Sequence, residues 1–249
     1  MTTALEKPRR RWLRFSLRSL LLLIAVVAVS LGWLIHKARQ EGIAVAALKE
    51  MGCDVTYGNN NAHQGSPTVL ERLRKLLGES ESRNVTKVIG SKSQITDAGM
   101  VHVQGLTQLQ TLWLNDTQVA DAGLAHLVGL TQLQYLWLND TQITDAGLVN
   151  LRGLTQLHSL VLSYAKVTDT GLACLGGLTE LEYLCIDGTQ VTDAGLEHLQ
   201  GLSRLKYLDL TATQVTDAEV QQLQKALPNC IIFRSHDRPR QTPSPLAPL

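Results

Sequence analysis

Three kinds of side chain in this sequence recur at a spacing that would let them act together. His102, His126 and His198 share one column of a 24-residue period, with Asn150 and Cys174 between them. A ladder of imidazoles suggests metal binding, but neighbouring units stand too far apart for three ligands to share one ion at bonds of about 2.0–2.3 Å. The column reads as solvated surface. Asp97, Asp121, Asp145, Asp169, Asp193 and Asp217 form a second column. It lacks the glycine-rich ligand loops of calcium-binding repeats, and its acids read as residues favouring the positive ends of short helices. Cys53, Cys174, Cys185 and Cys230 match no zinc spacing. Cys174 and Cys185 are expected on opposite sides of the fold and Cys53 and Cys230 at opposite ends, so no intrachain disulfide is expected. There is no G-x-S-x-G, P-loop or H-E-x-x-H, and no nucleophile with an oriented base. The expectation is a non-enzyme without cofactor or metal.

The elements that would position these columns are set by the leucines. Leu109, Leu133, Leu157, Leu181 and Leu205 fall on one column, and Leu112, Leu136, Leu160, Leu184 and Leu208 on a second. Leu114, Leu138, Leu162, Ile186 and Leu210 form a third, and Leu106, Leu130, Leu154, Leu178 and Leu202 a fourth. The L-x-L alternation has the period of a strand, and G-L-x-x-L puts leucines on one face of a short helix. The Thr before each Asp suits an N-cap, and Gly129, Gly153, Gly177 and Gly201 stand where a left-handed residue would end a helix. One strand and one helix per unit, stacked, predict an α/β solenoid with a parallel sheet on its concave side and short helices on its convex side. The copies are not uniform. Ala165 stands in the turn column of Thr117, Thr141, Thr189 and Thr213, Ala120 replaces the N-cap Thr, and Glu219 replaces the helix Gly.

The third chemical set then falls on the outward strand positions. They read Thr111, Tyr135, Ser159, Tyr183 and Tyr207 in one row and Trp113, Trp137, Val161, Cys185 and Asp209 in the next, with Asn115 and Asn139 at the rim. Clustered exposed aromatics and polar groups suit a protein partner. Cross-strand aromatic pairs that merely stabilise the sheet are the competing explanation. The residues expected to contact a partner are Thr111, Trp113, Asn115, Tyr135, Trp137, Asn139, Tyr183, Tyr207 and Asp209. A net charge of +1 gives no pull toward nucleic acid, and none is expected as a partner.

The copy Gly105–Val128, GLTQLQTLWLNDTQVADAGLAHLV, resembles the leucine-rich-repeat variant written LTxLxxLxLxxTxVTDAGLxxLxG. Ala44–Gly78 resembles the region that precedes the repeats in bacterial membrane-anchored members, and RFSLRSLLLLI at Arg14–Ile24 resembles their anchor. The resemblance covers residues 14–233. It implies the solenoid fold and a binding role, and names no ligand.

Ser19–Ile35 is a run of 17 residues without a charge. At about 1.5 Å per residue it reaches roughly 25 Å, enough to cross a bilayer core once Arg18 and Lys37 snorkel. Lys7, Arg9, Arg10, Arg11, Arg14 and Arg18 precede the run, whereas Lys37 and Arg39 follow closely. That asymmetry predicts a cytoplasmic N-terminus and a repeat domain on the outer, periplasmic or extracellular, side. A cleaved signal peptide is the competing reading, without a good cleavage site. The expected organisation is a basic stub over 1–18, an anchor over 19–35 in the lipid bilayer, a juxtamembrane helix and cap over 36–83, the repeat domain with its C-terminal cap over 84–233, and a Pro-rich disordered tail over 234–249. The favoured function is a membrane-anchored protein-binding module using its concave face. A self-associating envelope scaffold is the alternative, and a ubiquitin-ligase-type substrate adaptor is a third reading that conflicts with the anchor.

Overall fold

A computed structural model describes residues 17–58 and 85–234. The stub up to residue 16, the helix expected over Thr68–Leu77 and the tail from residue 235 lie outside the described residues. The chain divides into two units, Met1–Gln40 and Glu41–Leu249. Helix α1, Leu17–Glu50, begins in the first and ends in the second. Among the described residues it is the one helix long and apolar enough to cross a membrane. Its side chains at Leu22, Leu23, Val26, Val29 and Trp33 are exposed.

The second unit carries an eight-stranded sheet whose strands lie in chain order. Strand β1, Asp54–Tyr57, pairs antiparallel with β2, Val85–Ile89. From β2 onward every pairing is parallel: β3 Thr111–Trp113, β4 Tyr135–Trp137, β5 Ser159–Val161, β6 Tyr183–Cys185, β7 Tyr207–Asp209 and β8 Ile231–Phe233. The leucines of all four columns are buried in one continuous core. Removing a side chain such as Leu136 to Ala would cost about 2–5 kcal/mol. The stack is closed at its start by the last turns of α1 together with β1. Ala44, Val45 and Leu48 bury there, while Ile43 is exposed. Met51, just past the helix, packs on the same core.

Each repeat contributes only one α-helical turn: α2 Asp97–Met100, α3 Asp121–Leu124, α4 Asp145–Leu148, α5 Asp169–Leu172 and α6 Asp193–Leu196. Four residues carry too little macrodipole to account for the aspartate column. The column does something else. Asp121 Oδ1 accepts from the backbone N–H of Thr144 at 2.8 Å, and its Oδ2 accepts from the Thr144 hydroxyl at 2.6 Å. Asp145 holds Thr168, Asp169 holds Thr192 and Asp193 holds Thr216 in the same two-bond manner. Asp97 makes only the backbone bond, to Ala120 N at 2.7 Å, because Ala120 has no hydroxyl. Side-chain capping within the helix, the role expected of Thr, occurs at Thr144, Thr168 and Thr216, with the first two bonds at 3.3 Å. The dominant role of Thr and Asp is to join one repeat to the next.

The glycine of the D-A-G-L segment follows from that joint. A Cβ at Gly123, Gly147, Gly171 or Gly195 would overlap the carboxylate of Asp97, Asp121, Asp145 or Asp169 in the preceding repeat. The glycine after each helix has no such reason. Of Gly129, Gly153, Gly177 and Gly201, only Gly129 is left-handed (φ 100°), and a Cβ at any of the four meets nothing within 4 Å. The left-handed position lies instead just past each strand, at Lys92, Asp116, Asp140, Tyr164, Gly188 and Ala212. The turn there is held by a hydroxyl: Thr117, Thr141, Thr189 and Thr213 donate to Leu114, Leu138, Ile186 and Leu210 carbonyls at 2.6–2.7 Å. The buried Ala165 interrupts this row.

The stack ends differently. Helix α7, Asp217–Ala226, runs for ten residues, and Asp217, with no further repeat to hold, pairs with Arg234. Two outcomes test the joint. Asp145→Ala is expected to lower stability by about 1–3 kcal/mol by leaving the Thr168 N–H without its acceptor. Gly171→Ala should also destabilise, but less so in the Asp145→Ala background, because the overlapping carboxylate is gone. Urea midpoints of the two singles and the double measure this, and strictly additive losses would break the explanation. Ala165→Thr should restore the missing turn bond and raise the unfolding free energy from the same titrations by about 1 kcal/mol.

Candidate binding face

Strand alternation turns the leucines toward the core and the residues between them onto the other, open face of the sheet. Register then fixes what lies beside what. Trp113 pairs with Trp137, Tyr183 with Tyr207, and Cys185 with Asp209. At the β2–β4 end the two indoles stack with ring centroids 4.4 Å apart and planes 9° from parallel. The Lys87 ammonium sits 4.1 Å from the Trp113 ring centroid, a cation–π contact that caps the outer indole. Both indole N–H groups are buried without a hydrogen-bond partner, as is Asn139 Oδ1. Buried Trp N–H groups usually find an acceptor. At the rim, Asn115 Oδ1 accepts from Asn139 N at 3.1 Å.

At the β6–β8 end Tyr183 stacks on Tyr207 with centroids 4.5 Å apart, and Tyr207 meets Phe233 at 4.7 Å with a 32° tilt. Between the two aromatic groups β5 presents the smaller Ser159 and Val161, both buried. Of the nine residues expected to meet a partner, Thr111, Trp113, Asn115, Tyr135, Trp137, Asn139 and Tyr183 are half-buried. Tyr207 and Asp209 are buried, so alternation placed them on the correct face but not at a surface.

Sequence reasoning set the cysteines aside, yet one of them sits in a polar cluster. Cys185, Asp187 and Asp209 bring their ligand-bearing atoms within 4.8 Å of one another. The Cys185 thiol donates to Asp187 Oδ1 at 3.1 Å, and the Ser163 hydroxyl also donates to that oxygen. Asp209 Oδ1 accepts from Thr211 N at 2.9 Å. Burial first, and then the Asp187 charge, push the Cys185 thiol far above its ordinary range. Burial alone lifts Cys230 to about 11. A buried thiol kept protonated is unreactive toward alkylation. The signal that would have revealed the cluster is the C-x-D spacing of Cys185 and Asp187 with Asp209 one period after Cys185.

Residues 154–176 match the family described as Leucine Rich repeat. The fold of the second unit is a leucine-rich-repeat solenoid. Among solved structures, the chain is similar to an internalin from Listeria monocytogenes at 23% identity and a TM-score of 0.46, over 65% of this chain and 53% of that one. It is similar to internalin C2 from the same organism at 24% and 0.44, over 65% and 90%. A Leptospira interrogans leucine-rich-repeat protein matches at 24% and 0.43, over 53% and 33%. The chain thus spans about half the length of the first internalin. At these identities and scores the likenesses say nothing of what the chain binds. No curated protein matches it.

The indole stack is itself testable. In a double-mutant cycle, Trp113→Ala and Trp137→Ala should show a coupling of about 0.5–1.5 kcal/mol, the range for aromatic pairs beyond their buried area. Zero coupling in denaturant titrations would mean that the rings do not hold the stacked geometry.

Proposed function

We propose that this chain is a membrane-anchored leucine-rich-repeat module that binds a protein partner on the open face of its sheet. The observation that carries the reading is the half-buried Trp113–Trp137 stack, with the Lys87 ammonium on its outer ring. A partner covering the exposed part of the stack would remove the remaining water from that aromatic area. Thr111, Tyr135, Asn115 and Asn139 border the stack, and Tyr183, across β5, extends the contact surface. Tyr207 and Asp209 lie farther along the same face, on β7, and are too buried to touch the partner.

Anchoring is supported by the exposed apolar length of α1 and by Lys37, whose ammonium lies 5.7 Å from the Trp33 ring centroid at one end of that length. A Trp beside a Lys suits the headgroup layer. With the basic residues concentrated ahead of the helix, the N-terminus lies in the cytoplasm and the repeats outside. Two measurements test the proposal. Pull-down from an envelope extract with the detergent-solubilised full chain should retain a partner that the Trp113→Ala, Trp137→Ala double variant, shown to be folded, loses. Equal capture by both would move the site off the indole stack. A reporter fused after Phe233 should be active only outside the cytoplasm, and cytoplasmic activity would reverse the topology.

A further inference from the structure

The buried cluster on β6 and β7 has no part in partner binding and poses its own problem. Cys185 and Asp187 are two residues apart on one chain segment and face the same way. Asp209 is the register neighbour of Cys185 on the next strand. The three side chains therefore converge from three corners of a small triangle, 7%, 2% and 1% exposed respectively. Asp209 accepts one hydrogen bond, from Thr211 N, and among the described residues no cationic side chain lies within ion-pair distance of it. A carboxylate as far from water as that of Asp209 is costly unless a positive charge compensates it. A second observation points the same way. The Thr211 hydroxyl oxygen, one period on from Asp187 and two residues after Asp209, is buried without a hydrogen-bond partner.

We propose that Cys185, Asp187 and Asp209 form a site for one zinc-class divalent cation. Ligand atoms within 4.8 Å of one another need only a small closing movement to reach bonds of about 2.0–2.3 Å to a common ion. One thiolate with two carboxylates suits a borderline metal rather than calcium or magnesium, which prefer an all-oxygen shell. The outer contacts are already in place: Ser163 orients Asp187, and the Thr211 N–H orients Asp209. A fourth position is left for a water molecule, which the unpartnered Thr211 hydroxyl would contact. On binding, the S–H bond of Cys185 breaks, a sulfur–metal bond forms and one proton passes to solvent. The two carboxylates and the thiolate then share a dication, and β6 is tied to β7 beneath the tyrosine pair.

The probe is cobalt(II), added to the purified full chain in detergent. The expected result is a near-ultraviolet thiolate-to-cobalt absorption that saturates at one equivalent per chain and is displaced by zinc. Cys185→Ser should abolish the band, Asp209→Asn should weaken cobalt binding at least tenfold, and Cys174→Ser should leave both unchanged. Circular dichroism reports whether each variant folds. If the Cys185 and Asp209 variants do not fold, the parent decides alone through zinc, which should raise its unfolding temperature in proportion to the logarithm of free zinc above the dissociation constant. No thiolate-to-cobalt band at one equivalent, a band that survives Cys185→Ser, or no rise in the parent's unfolding temperature would each overturn the proposal.

Discussion

A carboxylate that reaches across to the next repeat underlies most of what this fold does. The leucines supply the driving force for burial, but burial is non-directional and tolerates slippage between stacked units. The Asp–Thr joint is directional. It fixes the backbone of each helical turn against the one before it, with both carboxylate oxygens engaged from Asp121 to Asp193. It also explains why glycine stands inside a helical turn, where it would ordinarily weaken the helix. The turn must approach the preceding carboxylate more closely than any Cβ allows. Where the series stops, Asp217 turns to Arg234, and that arginine also donates to the Val215 carbonyl at 2.6 Å.

Backbone hydrogen bonding between the parallel strands sets their spacing, and the spacing sets the chemistry of the open face. Identical residues one period apart lie side by side at a distance suited to ring stacking, so Trp113 meets Trp137 and Tyr183 meets Tyr207. The same arithmetic brings unlike residues together: Cys185 beside Asp209 yields a buried polar cluster rather than a further stack. Outside this face, the period gives ion pairs from Arg204 to Glu180 and from Lys206 to Glu182. These are solvated, and each contributes at most about 1 kcal/mol.

Much of this was legible in the sequence because repetition amplifies weak signals. The core leucines, the strand positions and their face all follow from columns. What the columns could not supply is the partner of each side chain. An aspartate in the first turn of a helix fits the dipole explanation as well as it fits a joint to the next unit, and only the distance from Asp145 to Thr168 separates the two. The left-handed turn was hidden for a similar reason. Asp116, Asp140 and Gly188 suit it, but Lys92, Tyr164 and Ala212 occupy the same column without announcing it. Exposure was the least legible property. Alternation states which face Tyr207 and Asp209 occupy, whereas their burial depends on what the strands on either side place beside them, Tyr183 and Cys185 on β6 and Phe233 on β8.

A joint that is the same between every pair of repeats has a consequence for how such a chain can change length. Cutting out residues 145–168, or inserting a copy of them, would bring an aspartate against a threonine just as before, since donor and acceptor recur at a constant offset of 23 residues. The fold is therefore closed under addition and removal of whole units. A single-residue insertion, by contrast, would stretch the one joint that spans it beyond its offset of 23 residues and leave every later joint as it was. Whole units are therefore the steps in which this architecture changes length without disturbing any aspartate.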